Sequence, residues 1–114
     1  MNVVSKYNFL SHYKWGEDCD GWNLVDEETI SVKQEKMPPG SSEKIHYHNK
    51  AQQFFYILNG VAEIEMEGKL FQLNMGEGLN IKAGIKHRIF NSGQEDLEFI
   101  LCSTPSTVND RVNC

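Results

Sequence analysis

The sequence predicts an all-β domain of the sandwich or barrel kind, on three observations. Short stretches of β-favouring residues recur at roughly ten-residue intervals, nearly every stretch ends at a Gly, Pro or Asn turn signal, and no window of useful length keeps a 3.6-residue apolar period. At 114 residues the chain has the size of one domain, and 39% hydrophobic with 24% charged residues is ordinary for a packed globular fold.

Taken in order, residues 30–37 read as a strand ending at Pro38-Pro39-Gly40, and residues 44–48 as a short one. Residues 53–58 form an aromatic-rich strand that stops at Asn59-Gly60. In residues 61–66, Ala62, Ile64 and Met66 alternate with Glu63 and Glu65, which marks a half-buried strand. Glu67-Gly68 then turns the chain into residues 70–73, which end at Met75-Gly76. Residues 79–81, 87–91 and 97–103 complete the series. The expected organisation is one domain over 1–114: an N-terminal strand or cover over 1–29, a barrel core over 30–103 and a tail over 104–114. In the first part Trp15, Cys19 and Trp22 lie among polar and glycine residues, as an apolar cover over one end of the core would.

The net charge of -5, without a cluster of Lys or Arg, argues against a nucleic-acid partner, since phosphate binding needs a basic face. The longest apolar runs, such as 54–58, are too short to span a bilayer, so no membrane partner is expected. Cys19, Cys102 and Cys114 are an odd set without CxxC spacing, and residues 1–10 hold no export-signal pattern. Both point to a reducing, cytoplasmic setting. Cys102, in an apolar strand, is expected to be a small core residue, and Cys114 to lie in a frayed terminus.

The histidines carry the chemistry. His46 and His48 are two apart, so on a strand they leave the same face, about 7 Å apart at Cα. Two imidazoles at that distance can converge on one ion with bonds of about 2.0–2.1 Å. His87, on a later strand, can be brought opposite them by antiparallel pairing. His12 lies outside this set and is given no role.

Glycines frame the histidines at definite offsets. The segment Gly40-(5)-His46-x-His48-(4)-Gln53-(6)-Gly60 resembles the first motif of the cupin superfamily, G-x5-H-x-H-x3-4-E-x6-G. The segment Gly76-(5)-Lys82-x-Gly84-(2)-His87-(3)-Asn91 resembles the second, G-x5-P-x-G-x2-H-x3-N. The resemblance implies a double-stranded β-helix, or jelly-roll, barrel. It further implies one divalent transition metal, Zn, Fe, Mn, Ni or Cu, held by His46, His48 and His87 with residue 53 as the fourth position.

Two residues depart from the family pattern. Gln53 stands where the family has a ligand Glu; Gln52 would fit the shorter spacing, but only Gln53 keeps the distance to Gly60. An amide oxygen can coordinate an ion yet brings neither charge nor a general base. Gln53 is therefore either a fourth ligand or a hydrogen-bonding residue behind the ligands. Lys82 replaces Pro, which frees a φ in the loop before His87 without moving the ligand. Asn91 is expected to brace backbone.

Period two carries Phe55 and Ile57 inward with Gln53, and Ile89 and Asn91 inward with His87. These make Phe55, Ile57 and Ile89 candidates for a partly apolar substrate pocket, though plain core is the commoner use of such residues. Tyr47, Phe54 and Tyr56 face outward, which favours a homodimer, as the resemblance also does. The tail after Pro105 could fold over the barrel mouth and bring Arg111 to a carboxylate or phosphate of a substrate; a structural salt bridge or a loose end are its other readings. Three functions remain open for a small-molecule ligand. The first is a Lewis-acid metal enzyme of the sugar or sugar-phosphate isomerase type, for which no base stands out in the sequence. The others are a non-haem metal dioxygenase and a non-catalytic binding module.

Overall fold

The computed structural model describes residues 3–114, and those residues form eleven strands and no helix. The strands are β1 (Ser11–Trp15), β2 (Cys19–Asp26), β3 (Ser31–Met37), β4 (His46–His48), β5 (Gln52–Asn59) and β6 (Ala62–Met66), then β7 (Lys69–Leu73), β8 (Gly78–Ile81), β9 (His87–Phe90), β10 (Leu97–Thr104) and β11 (Arg111–Asn113). They build two sheets, one of six strands in the order β1-β2-β3-β10-β5-β8 and one of five in the order β11-β4-β9-β6-β7, with every pairing antiparallel. This is the jelly-roll barrel that the cupin resemblance implies, within the all-β sandwich or barrel class that the pattern of short strands predicts. Each strand expected within 30–103 is present, with its ends displaced by no more than two residues.

Alternation decides what the barrel encloses. β10 buries Leu97, Phe99, Leu101 and Ser103, and β5 buries Gln53, Phe55 and Ile57 while Phe54 and Tyr56 face out. The core joins these to Met37, Ala62, Ile64, Leu73, Ile81 and Ile89. The same alternation puts Cys102 on the outer face, half-buried between Val32 and Phe54, and not in the core where its apolar surroundings predicted it. The parity of a strand outranks the hydrophobicity of one residue on it.

The N-terminal region is more regular than a cover. β1 and β2 form a hairpin that adds two strands to the edge of the larger sheet, in register from Ser11↔Asn23 to Trp15↔Cys19. Cys19 enters the core and Trp15 packs against it. The tail is ordered too: β11 pairs with β4, and the Cys114 N–H donates to the Ile45 carbonyl at 3.0 Å.

Two glycines of the motifs are required where they stand. Gly60 has φ +80°, and a Cβ there would lie 2.7 Å from the Asp96 carbonyl oxygen, so no other residue fits the turn after β5. Gly84, at φ +83°, donates its N–H to the His48 carbonyl at 2.8 Å and so ties the loop before His87 to the strand carrying the other two histidines. Asn91 braces backbone as expected, its Nδ2 donating to the carbonyls of Met37 (2.9 Å) and Glu95 (2.8 Å).

Candidate metal centre

Strand register brings the histidines together. His46 on β4 pairs directly with His87 on β9, and His48 follows two positions along the same face of β4. One ring nitrogen from each of the three lies within 4.8 Å of the others, and all three rings are buried. Backbone carbonyls set two of the tautomers. His46 Nδ1–H donates to Lys44 O and His87 Nδ1–H to Ile85 O, each at 2.8 Å, which leaves both Nε2 atoms without a proton.

The donors present fit a metal ion. Neither ring nitrogen of His48 has a hydrogen-bond partner among the described residues, an arrangement that costs about 1–3 kcal/mol unless something fills it. Gln53 Nε2 donates to Ser103 Oγ at 3.2 Å, and its Oε1 then lies 3.2 Å from His87 Nε2. With the proton of His87 committed at Nδ1, two lone pairs face one another there, and a cation between them relieves the repulsion. Burial drives the histidine pKa values down, His46 to about 3 and His48 to about 4, with His87 lowered as well; the Arg111 guanidinium adds to the effect on all three. The rings are thus neutral at pH 7, the state in which imidazole binds metal.

The cavity that His46 and His48 border holds about 250 Å³. Phe55 and Arg111 border it, as do His46, His48 and Gln53, whereas Ile57 and Ile89 lie in the core and do not reach it. The cavity is more polar than the sequence led us to expect. Its lining also includes Tyr13, Lys33 and Glu35 from the larger sheet and Glu43 beside His46, none of them singled out by motif. The signal that could have found two of them is parity: Lys33 and Glu35 share the inward face of β3 with Ser31 and Met37, and charged residues on a core-facing row need a purpose.

Arg111 owes its position to its neighbour. Asp110 is buried and accepts hydrogen bonds from the N–H groups of Lys50 (3.1 Å) and Ala51 (2.9 Å). Burial works against its charge, but those donors outweigh it and hold the carboxyl below the ordinary carboxylate range. This clamp registers β11 on β4 so that Arg111 stands opposite His48, with Nη1 3.9 Å from Glu43 Oε2. Glu43 Oε1 accepts from the Ile89 N–H at 3.1 Å and lies 4.0 Å from His46 Nδ1. Burial pushes the Glu43 pKa up to about 8 and raises that of Glu35 as well. The site thus combines a metal-ligand cluster, a guanidinium and two carboxyl groups.

The model of the cupin domain matches residues 33–103. The chain belongs to the cupin family. Within it, the chain is 37% identical over 65 residues to an oxalate-binding protein of Thermotoga maritima, a match that covers 57% of this chain and 54% of that one. It spans about half the length of the sequence relatives it matches. Among solved structures, KdgF from Halomonas sp. superposes with a TM-score of 0.83 over 93% of this cupin and 94% of that chain, at 16% identity. A putative sugar phosphate isomerase from Acidithiobacillus ferrooxidans gives 0.65 over 75% and 59%, at 20% identity. At those identities the two structures speak for the fold alone.

Proposed function

We propose that this cupin is a metal-dependent enzyme that moves protons on a small oxygenated anion, as an isomerase of a sugar or sugar phosphate does. One observation carries the reading: the Arg111 guanidinium borders the same 250 Å³ cavity as His46 and His48 of the histidine cluster, together with the carboxyl groups of Glu35 and Glu43. His46, His48 and His87 would hold one divalent ion, with the Gln53 oxygen as fourth ligand. Bound there, the ion would polarise adjacent carbonyl and hydroxyl oxygens and make the C–H between them more acidic.

The chain's own groups supply the rest. Arg111 offers a planar fork of donors for a carboxylate or phosphate and fixes the substrate's orientation. Glu43 is held through Oε1 by the Ile89 N–H, so Oε2 is the atom free to take a proton and return it. Phe55 closes one side of the cavity and limits water. The base that the Gln53 amide cannot provide is thus offered from another strand connection. By their names, the oxalate-binding relative and the putative sugar phosphate isomerase handle small oxygen-rich anions, which supports this class of substrate.

The test is hydrogen–deuterium exchange. Zinc-loaded protein incubated without oxygen in D2O with a panel of aldose phosphates and hydroxy acids should place deuterium on carbon next to a carbonyl, as read by NMR. Oxygen consumption by the iron-loaded protein with the same panel would turn the reading to a dioxygenase. Tight binding without either would leave a binding module. The reading also takes the molecule as a cytoplasmic homodimer through Phe54 and Tyr56, which are 41% and 40% exposed on the outer face of β5; light scattering tests the assembly.

A further inference from the structure

Three strands of the larger sheet place one residue each in a single cross-strand row beside the cavity. Tyr13 on β1 pairs with Gly21 on β2, and Gly21 pairs with Glu35 on β3. The middle position has to be bare. A Cβ on Gly21 would come within 2.1 Å of Tyr13 Cζ and 2.4 Å of its hydroxyl oxygen, so the ring lies flat across β2. Its hydroxyl donates to Glu35 Oε2, and Lys33 Nζ sits 5.5 Å from the ring centroid. Among the described residues Tyr13 is the one hydrogen-bond partner of the Glu35 carboxyl group, and both side chains border the cavity of the histidines.

We propose that the Tyr13–Glu35 couple is the hydroxyl-recognising wall of this cavity, so that its ligand is a hydroxylated carboxylate and not a plain one. The inference rests on the anion-binding role given to Arg111 above and deepens it. With the phenol proton given to Glu35 Oε2, Glu35 Oε1 and the Tyr13 oxygen remain as acceptors for the proton of a ligand hydroxyl. Glu35 Oε1 has no hydrogen-bond partner among the described residues, so a ligand without the hydroxyl forgoes that bond and is discriminated against. Burial raises the Tyr13 pKa, which keeps the phenol protonated and the donor of the couple. Lys33 and Arg111 supply positive charge on either side of the couple, matching the anionic end of such a ligand.

The alternative use of the couple is a strut that fastens β1 to the barrel, and one pair of probes separates the two. Glycerate and propionate share a three-carbon acid skeleton and differ by two hydroxyls. Calorimetric titration of the zinc-loaded chain should find glycerate bound about tenfold or more tighter. Tyr13→Phe and Glu35→Gln should each shrink that ratio to about twofold while leaving propionate affinity unchanged. Gly21→Ala, which keeps both groups but displaces the ring, should do the same. If folded Tyr13→Phe and Glu35→Gln keep the full ratio, the couple is a strut and the proposal fails alone. If neither acid binds the unaltered protein, the anion reading fails and takes this one with it. Should the variants not fold, the unaltered protein with 13Cζ-labelled tyrosine decides: glycerate but not propionate should shift one of the four tyrosine signals, and no shift overturns the proposal.

Discussion

The two walls of the cavity are built in different ways. The histidine wall comes from β4 and β9, paired strands of the smaller sheet, with Gln53 reaching it from β5 of the larger one; backbone carbonyls fix two of the rings and Ser103 Oγ fixes the amide. The facing wall is gathered from β1, β3, the loop before β4 and the tail, between positions 13 and 111. Two of its members depend on a device elsewhere: Tyr13 on a bare Gly21, Arg111 on the Asp110 clamp. One wall is a local motif that needs the barrel only to be closed. The other exists only when distant parts of the chain have docked, and it should be the easier of the two to damage without unfolding the protein.

The sharpest break falls on the first wall. Single replacement of His46, His48 or His87 by Ala should lower metal affinity by about two orders of magnitude or more, since a removed ligand costs more than a removed neighbour of a ligand. Elemental analysis of purified protein reads the effect, and unchanged stoichiometry in all three variants would sink the site. The facing wall should keep its order in these variants, because no hydrogen bond of Tyr13 or Asp110 runs through a histidine.

Acidity should pull the two walls in opposite directions in the metal-free protein. The histidines ionise near 6.5 when unfolded but at about 3 and 4 in the fold for His46 and His48. The unfolded chain therefore binds more protons below about 6.5, and the fold loses stability as pH falls toward 4. Glu43 behaves in the reverse sense. It ionises near 4.5 when unfolded and at about 8 in the fold, so its contribution is lost as pH rises from 4.5 to 8. Glu43→Gln removes the Glu43 share of the second limb, to which Glu35 also contributes, and leaves the first. Relative to the unaltered protein, the variant should gain on the order of 2 kcal/mol between pH 5 and pH 8 in denaturant titrations. A difference that does not change with pH would show that Glu43 is ionised already at pH 5.

Legibility in the sequence follows the same division. The barrel strands from β3 to β10 could be read because each is short, alternating and bounded by a turn residue. The histidines could be read because their spacing is a property of single strands and their glycine frame sits at fixed offsets. The β1–β2 hairpin could not, since its alternation is blurred by polar residues around Gly16 and Gly21. Inward parity was right for Ile57 and Ile89 but could not tell which end of the barrel holds the cavity, and both are core. Glu35, Glu43 and Tyr13 went unseen because nothing local marks a carboxyl group or a phenol that becomes a wall only through long-range pairing. Arg111 was visible as a charge in a tail whose docking rests on one buried aspartate 59 residues from its partner Ala51.

That dependence gives a smaller prediction for the facing wall. Asp110→Asn keeps the shape but halves the acceptor capacity that holds the N–H groups of Lys50 and Ala51. The cost in stability should be about 1–2 kcal/mol, and β11 should detach before the barrel opens. Hydrogen exchange at Val112 and Cys114 should quicken while exchange within β4 and β9 holds. Zinc affinity should stay within about twofold, and binding of a carboxylate probe should weaken about tenfold as Arg111 loses its fixed place. Equal losses of zinc and carboxylate would mean that the walls are not independent.

The last test sits on the seam between the walls. Gln53→Glu restores a charge that the cupin motif carries and this chain lacks, at an oxygen 3.2 Å from His87 Nε2. If Gln53 Oε1 is the fourth ligand, the added charge should tighten zinc by about tenfold in competition with a chelator, roughly 1.4 kcal/mol. The metal-free variant should be less stable than the unaltered protein at pH 8, because the new carboxylate is buried without a cation, so the gain in melting temperature on adding zinc should widen. If Gln53 only hydrogen-bonds to a histidine, the carboxylate leaves zinc affinity nearly unchanged and instead raises the pKa of His87, whose titration NMR can follow. Zinc affinity separates the two outcomes, because His87 is coordinated and does not titrate in either once zinc is bound, and its shifted titration is read in the metal-free variant.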